Sequence, residues 1–304
     1  MNLEGFKLPA GAPTQNASIR KRLTLHDRWI LDQYNRAIEE VTIAFEEYDI
    51  SRAARLLYEF IWSKFCDWYL ELAKMRLYGQ EPGEKEVVQF VLIYVLEGTL
   101  KMLHPIMPFI TEEIWHLLNS ISPANREESI MVASWPLPGR EERDKKAVKD
   151  MEFIIDIISK PRNVRSVMRI RHEELLKKVS IKPSKRRKEA LLVEHIPYIK
   201  SLAKSKEVIV DKHIWRPEES TTSAVGDTVV WVSLSWIDKS REIERLSKEI
   251  EKIEVELDRI NKKLKNREFL KKAPPPVVEK VKKQKEEYEI ERDKLLEGLK
   301  LIKG

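Results

Sequence analysis

The chain has 304 residues, 56 Lys and Arg against 50 Asp and Glu, a net charge of +6 and 42% hydrophobic residues. That apolar content is enough to build cores and excludes global disorder, while no apolar run approaches the ~20 residues of a membrane span. The single Cys66 excludes a disulfide framework and cannot form a zinc site alone, and nine glycines with neither GxGxxG nor GxxxxGK(S/T) argue against a large doubly wound nucleotide-binding fold. The length suits two or three domains at roughly 100–150 residues each. The opening stretch, MNLEGFKLPAGAP, lacks a charged-then-apolar leader pattern, so a cytoplasmic location is expected.

Residues 24–119 read as long helices. Thr24 with Asp27 three residues on forms a helix-start pattern, and Leu25, Trp29, Tyr34, Ile38, Val41 and Phe45 then fall on one face. Asp49 or Ser51 can cap a second helix over roughly 51–78, with Ala54, Leu57, Ile61, Phe65, Trp68, Leu72 and Met75 at helical spacing. Gln80-Glu81-Pro82-Gly83 ends it. A third helix spans about Glu84 to His104, stopped by Pro105 and Pro108, and Thr111 can cap a short fourth through Asn119. Sequential helices with short joins predict an antiparallel bundle.

Residues 120–146 are a connector. The pattern then changes. One helix over about 147–160 precedes β-like runs at Lys178–Lys182, Glu207–Val210 and Thr228–Leu234, the last with strand-type alternation, which predicts a small α+β domain. Finally Ile243, Leu246, Ile250, Ile253, Leu257, Ile260 and Leu264 are spaced alternately by three and four, a heptad seam. Ala273-Pro274-Pro275-Pro276 interrupts it, and Val281, Tyr288, Leu295 and Ile302 follow at intervals of seven. Two such helices about a proline-rich turn predict an antiparallel hairpin and a monomer, with an intermolecular coiled coil as the rival. The whole is mainly α: a helical bundle, a small α+β junction domain and a C-terminal antiparallel coiled-coil hairpin. The predicted boundaries are a truncated lead-in over 1–21, the bundle with its connector over 22–146, the junction domain over 147–238 and the arm over 239–304.

Charge is uneven along the chain. Residues 1–150 hold 19 basic and 23 acidic side chains, whereas 151–304 hold 37 and 27. The excess in the second half suits an anionic partner, nucleic acid first, or a solvated charged surface. It is concentrated in two places. Twelve basic residues lie between Lys160 and Lys188 against Glu173 and Glu174, and 259–272 carries Arg259, Lys262, Lys263, Lys265, Arg267, Lys271 and Lys272 against Glu268. A structural hairpin needs no basic tip, and phosphate contact accounts for one through counterion release. Phe269 and Leu270 beside it can stack on bases or pack the helix ends together. A catalytic constellation is missing: the six histidines form neither HxxxH nor HExxH, and no serine sits in a GxSxG turn. His104, beside Pro105 in an apolar stretch, reads as a satisfied packing histidine. No catalytic residue and no metal ligand is assigned.

Leu103-His104-Pro105-Ile106-Met107-Pro108-Phe109-Ile110-Thr111-Glu112-Glu113-Ile114-Trp115 resembles the signature of the helical anticodon-binding domain of class I aminoacyl-tRNA synthetases, as do Phe65-Cys66-Asp67-Trp68-Tyr69-Leu70-Glu71 and Ala133-Ser134-Trp135-Pro136. Ile237-Asp238, Glu244-Arg245-Leu246 with Lys248-Glu249-Ile250, Lys263-Leu264-Lys265-Asn266-Arg267-Glu268-Phe269 and Ala273-Pro274-Pro275-Pro276-Val277-Val278 are similar to the C-terminal arm of the valyl-tRNA synthetases. The resemblance implies a C-terminal fragment, the first helix of its anticodon domain absent or cut short, and a valine-accepting tRNA as partner. The family's two ATP-binding loops are missing, so the resemblance implies no cofactor in this chain, ATP in the parent enzyme and no aminoacylation by the chain alone. It places anticodon contacts at Lys64, Trp68, Lys74 and Arg76, junction contacts at Arg162, Asn163, Arg165 and Arg169, and elbow contacts at the hairpin tip. Pro161, and Ser166-Val167-Met168 in place of an acid-containing continuation, depart from the family pattern around the junction residues.

Overall fold

The computed structural model describes residues 6, 9, 11–121, 127–139, 143–235, 239–266 and 274–303. It divides into two compact units, Met1–Phe153 and Ile154–Gly304, and the division falls inside a helix.

The first unit is the expected bundle. A short α1 (Ala17–Arg20) leads into α2 (Leu25–Glu46), which is buried on most of its circumference. Its core side chains include Trp29, Tyr34, Ile38 and Val41. α3 (Ile50–Tyr58), capped by Asp49, runs into a π-helical stretch (Glu59–Leu70) and then α4 (Glu71–Leu77). α5 (Pro82–Leu103) and α6 (Pro108–Ile121) follow, with Pro82 in the first turn of α5, where a missing N–H costs nothing. Gly98 lets α5 approach α2: a Cβ there would lie 1.6 Å from the Tyr34 hydroxyl.

The π-helical stretch corrects the expected packing face. A regular helix would bury Ala54, Leu57, Ile61, Phe65, Trp68, Leu72 and Met75. The buried residues are Ala53, Leu57, Phe60, Phe65, Tyr69, Leu72, Ala73 and Leu77. One five-residue step, from Phe60 to Phe65, comes with the wider π turn and moves Tyr69 inward and Trp68 partly outward.

The proline turn between α5 and α6 is locked by side chains. His104 Nδ1 and Thr111 Oγ1 are 2.7 Å apart, and Thr111 donates back to the Met107 carbonyl. Trp115 is buried, donates Nε1–H to the Glu127 carbonyl and lies under the Lys101 ammonium. Glu112 accepts from Ser129 and from the Ile130 amide, which opens a 3₁₀ turn (Ile130–Val132). Trp135 stacks edge-on against Phe45 and donates to Thr42. Asn35 and Asp32 then accept the backbone amides of Gly139 and Asp144, tying the connector to α2.

α7 (Lys145–Val167) is longer than the helix expected over 147–160, because it continues through Pro161. That proline removes one helical hydrogen bond, but Ile157, Ile158, Val164 and Val167 on either side are buried and hold the helix together. The helix ends in a Schellman motif: Ile170 N–H reaches the Arg165 carbonyl, Arg169 N–H reaches Ser166, and Arg169 takes the left-handed conformation at φ 49°.

In the second unit, β1 (Leu176–Lys182) is followed by α8 (Arg186–Glu194) and α9 (Ile196–Leu202), and then by β2 (Ser205–Val210), β3 (Ser220–Val225) and β4 (Thr228–Ser233). The sheet order is β2-β1-β4-β3, with β1 and β2 parallel and the other pairs antiparallel. The parallel pair needs a crossover, which α8 and α9 provide. The three anticipated strands are present; the fourth, β3, reads Ser-Thr-Thr-Ser-Ala-Val, is poor in apolar residues and carries no alternating apolar signal. The arm is α10 (Lys239–Lys265) and α11 (Pro275–Lys303). Leu246, Ile250, Ile253, Leu257 and Ile260 are buried along α10, and Leu295 and Ile302 along α11, so the heptad seam closes within one chain.

Candidate nucleic-acid interface

The arm presents the clearest charged surface. At 1.5 Å per residue its helices are roughly 40 Å long. Leu246 packs opposite Gly298, and Glu254 lies within Coulombic reach of Arg292, which fixes an antiparallel register. Continued outward, that register sets Lys262 and Lys265 across from Lys283 and Lys280. All four are exposed, as are Lys263 and Lys282. The basic end of the arm therefore spans both helices, whereas the sequence reading assigned it to one helix and the turn. Lys280, Lys282 and Lys283 are the residues that reading missed; pairing the two heptad runs about the proline turn is the signal that finds them. Arg259 and Lys262 each share their charge with an acid one turn back, Glu256 and Asp258, both at 2.6 Å. Arg267, Lys271 and Lys272 lie outside the described residues.

The four junction residues are engaged within the protein. Arg165 is 8% exposed and donates to the Glu174 and Arg171 carbonyls, stapling the loop after α7. Burial pulls its guanidinium pKa down, against the opposing pull of Glu174. Arg162 Nε donates to the Leu202 carbonyl at 3.0 Å. Asn163 donates to Glu297 of α11, and Arg169 Nη1 to Glu249 of α10, both at 2.9 Å. Glu249 is shared with Arg245, whose pKa is raised first by its hydrogen bond to Glu242. Gly298 completes the seat, since a Cβ there would lie 2.2 Å from Val167 Cγ1. Asn163 and Arg169 tie the base of the arm to α7, while Arg162 and Arg165 brace the end of α9 and the loop after α7; Arg165 is buried, whereas Arg169 keeps more than half of its side chain in water.

In the bundle, Arg76 is also turned inward. It is 5% exposed and meets Asp27 at 2.7 Å, while Tyr69 donates to the other Asp27 oxygen and Thr24 closes the network through its amide and hydroxyl. A contact with RNA needs an exposure that Arg76 lacks. Lys74 is exposed and paired with Glu71. Lys64 is half-buried and lines a cleft of about 190 Å³ with Gln33, Arg36, Glu40 and Glu59. Trp68 is half-buried. An exposed aromatic pair, Tyr58 and Trp62 with ring centroids 6.3 Å apart, lies where α3 passes into the π-helical stretch; neither residue belongs to the apolar face that the spacing predicts. Burial, and then the Asp67 carboxylate, push the Cys66 thiol pKa up, away from a reactive thiolate. Among the described residues no helix is long and apolar enough to cross a membrane, and no group of three or more His, Cys, Asp or Glu is placed to hold a metal ion.

Residues 27–181 match the model of the anticodon-binding domain of tRNA ligase, and 238–303 match the valyl tRNA synthetase tRNA binding arm. The chain is 36% identical over 289 residues to a valine–tRNA ligase of Oceanobacillus iheyensis, covering 95% of this chain and 31% of that protein. It is 37% identical over 306 residues to that of Anoxybacillus flavithermus (100% and 33%) and 38% identical over 313 residues to that of Carboxydothermus hydrogenoformans (99% and 33%). The chain thus spans about a third of the length of the curated relatives it matches.

Proposed function

Because the chain belongs to the family of tRNA-ligase anticodon-binding domains and carries a valyl-tRNA synthetase tRNA-binding arm, we propose that it is the tRNA-recognition portion of a valine–tRNA ligase, working in the cytoplasm as a monomer on valine-accepting tRNA. The bundle reads unpaired anticodon bases by hydrogen bonding and stacking, with Lys64, Lys74, Trp68 and the Tyr58–Trp62 pair as its candidate contacts. The arm meets the elbow of the tRNA, where the D and T loops join, through its lysine-rich end. Two grips on one stiff RNA fix its orientation and so hold the acceptor end in a catalytic site supplied by the ligase's catalytic domain. Valine activation and ATP belong to that domain, so the chain alone is expected to give no valine-dependent ATP–pyrophosphate exchange.

The observation that carries this reading is the exposed lysine surface on both helices at the outer end of the arm. Clustered exposed lysines of this kind gain when they meet phosphates, through release of the condensed counterions. The test is tRNA affinity at several salt concentrations for the wild type and for Lys262→Ala/Lys263→Ala/Lys265→Ala. Three lost phosphate contacts weaken binding and lower the log–log salt slope by about 2. Parallel salt lines at unchanged affinity would sink the reading.

A further inference from the structure

The basic run from Lys160 to Lys188 divides in the folded chain. In its first part, Arg162 donates to the end of α9, Arg165 to the loop after α7 and Arg169 to the arm base. Further on, Lys178 pairs with Glu207 and Lys188 with Asp227. Lys185, Arg186 and Arg187 remain exposed where β1 gives way to α8. The sheet brings two more residues to that end. β1 and β2 are parallel, and the Asp211 amide donates to the Ile181 carbonyl, so the segment after β2 leaves beside Lys182. It carries the exposed Lys212 and then Trp215.

Trp215 is 84% exposed, on a side chain whose large apolar ring is ordinarily mostly buried. The Lys182 ammonium sits 5.4 Å from its ring centroid, a cation–π contact that holds the indole upright. The segment bearing it is pinned on both sides: the His213 amide donates to Asp211, and Arg216 donates to the Ser220 carbonyl. Of the carboxylates nearby in the chain, Asp211 accepts in that turn and Asp227 pairs with Lys188, while Glu218 and Glu219 on the far side of Arg216 are exposed. A fixed, exposed aromatic face with one cation against it and further basic residues on the adjoining segments is the arrangement that binds unpaired nucleotides: the ring stacks a base and the cations meet the flanking phosphates.

We propose that this end of the α/β module is a further RNA contact, in which Trp215 stacks one unpaired base and Lys182, Lys185, Arg186 and Lys212 neutralise the phosphates on either side. The proposal rests on the reading that the partner is RNA, but on residues separate from the bundle and the arm tip. An acidic peptide would satisfy the cations and leave the indole without a purpose.

The test uses the full chain and two probes, an unstructured eight-nucleotide RNA and tRNA, each titrated at several salt concentrations. Trp215→Ala is expected to weaken binding of the eight-nucleotide RNA about tenfold with little change in salt slope, as for loss of one stacked base. Trp215→Phe should keep most of the affinity. Lys185→Ala/Arg186→Ala should weaken binding and lower the slope by about 1.4, two single-strand phosphates. All three variants should unfold like the wild type, since the altered side chains are exposed. If Trp215→Ala binds the oligomer as tightly as the wild type, or a glutamate-rich peptide displaces the RNA from wild type and Trp215→Ala alike, the proposal is overturned. If in that case the arm-tip triple variant still loses tRNA affinity, the tRNA reading stands and only this site falls. If the wild type binds neither RNA, both fall.

Discussion

The bundle and the arm use the same ionic side chains in opposite ways. In the bundle, Asp27, Asp32 and Asn35 lie on one central helix, fully buried, and spend their hydrogen-bonding capacity on Arg76, Tyr69, Arg36 and connector amides. In the arm, the apolar seam holds the helices together and the charges face water. A charge buried and paired is a structural part whose loss is costly, while an exposed one contributes little to folding and stays available to a ligand. The basic residues of 160–188 span both regimes within thirty positions of chain.

The comparison breaks most visibly at Arg76. Arg76→Met leaves the Asp27 carboxylate buried with its ion-pair partner gone, and we expect a loss of about 3–5 kcal/mol of bundle stability in denaturant unfolding. Pairing it with Asp27→Asn should recover much of that. A loss under about 1 kcal/mol would mean that the network is dispensable. In the arm the corresponding damage is apolar: Leu257→Ala empties a seam position and should cost about 2–5 kcal/mol, seen as faster hydrogen exchange over α10 and α11 and not over α2 to α6.

Gly298→Ala tests the seat of the arm. Helix propensity alone favours alanine by about 1 kcal/mol, whereas overpacking against Val167 costs about 1–3 kcal/mol. A net loss that disappears in a Val167→Ala background identifies the contact as the cause. A gain in both backgrounds would show that α7 and α11 can separate there without penalty.

The smallest effect is electrostatic and exposed. Hydrogen bonds from Lys188 and then Ser184 hold the Asp227 carboxyl down from 3.8 to about 2. Its folded-state pKa is depressed, so its contribution to stability is present above about 3.8 and is lost as pH falls toward about 2. Titration of the Asp227 carboxyl by NMR should show the lowered midpoint, and Lys188→Met should return it toward the ordinary value. An unshifted wild-type midpoint would remove the ion pair from the β3–β4 turn.

Much of the fold was legible in the order of residues. Heptad spacing over Ile243–Leu264 survives as the seam of α10, because a 3.5-residue repeat can bury only one stripe. The proline stops mark the ends of α5 and the start of α6. The family signature was also legible, and its His104, Thr111, Glu112, Trp115 and Trp135 turn out to be welds between helices and connector. Less was legible in the candidate contacts. Arg76 and Arg165 look from sequence like surface cations but are buried, Arg76 against Asp27 far back in the chain and Arg165 under the carbonyls of the irregular loop that follows it; Arg162 and Arg169 likewise meet distant partners, the Leu202 carbonyl and Glu249, that spacing does not reveal.

The sequence by itself determined the helical bundle, the strand-bearing module, the hairpin arm and the sign of the charge at its outer end, because these follow from local periodicity, proline placement and composition. Only the tertiary structure decided which cations remain outside. Burial and partner choice depend on what packs across tens or hundreds of residues, as when a five-residue π step rotates Tyr69 onto Asp27, or a parallel β1–β2 pair brings Trp215 to Lys182. A basic residue is the same letter in either place; whether a carboxylate, a carbonyl or open water lies at the end of its side chain is settled by the fold.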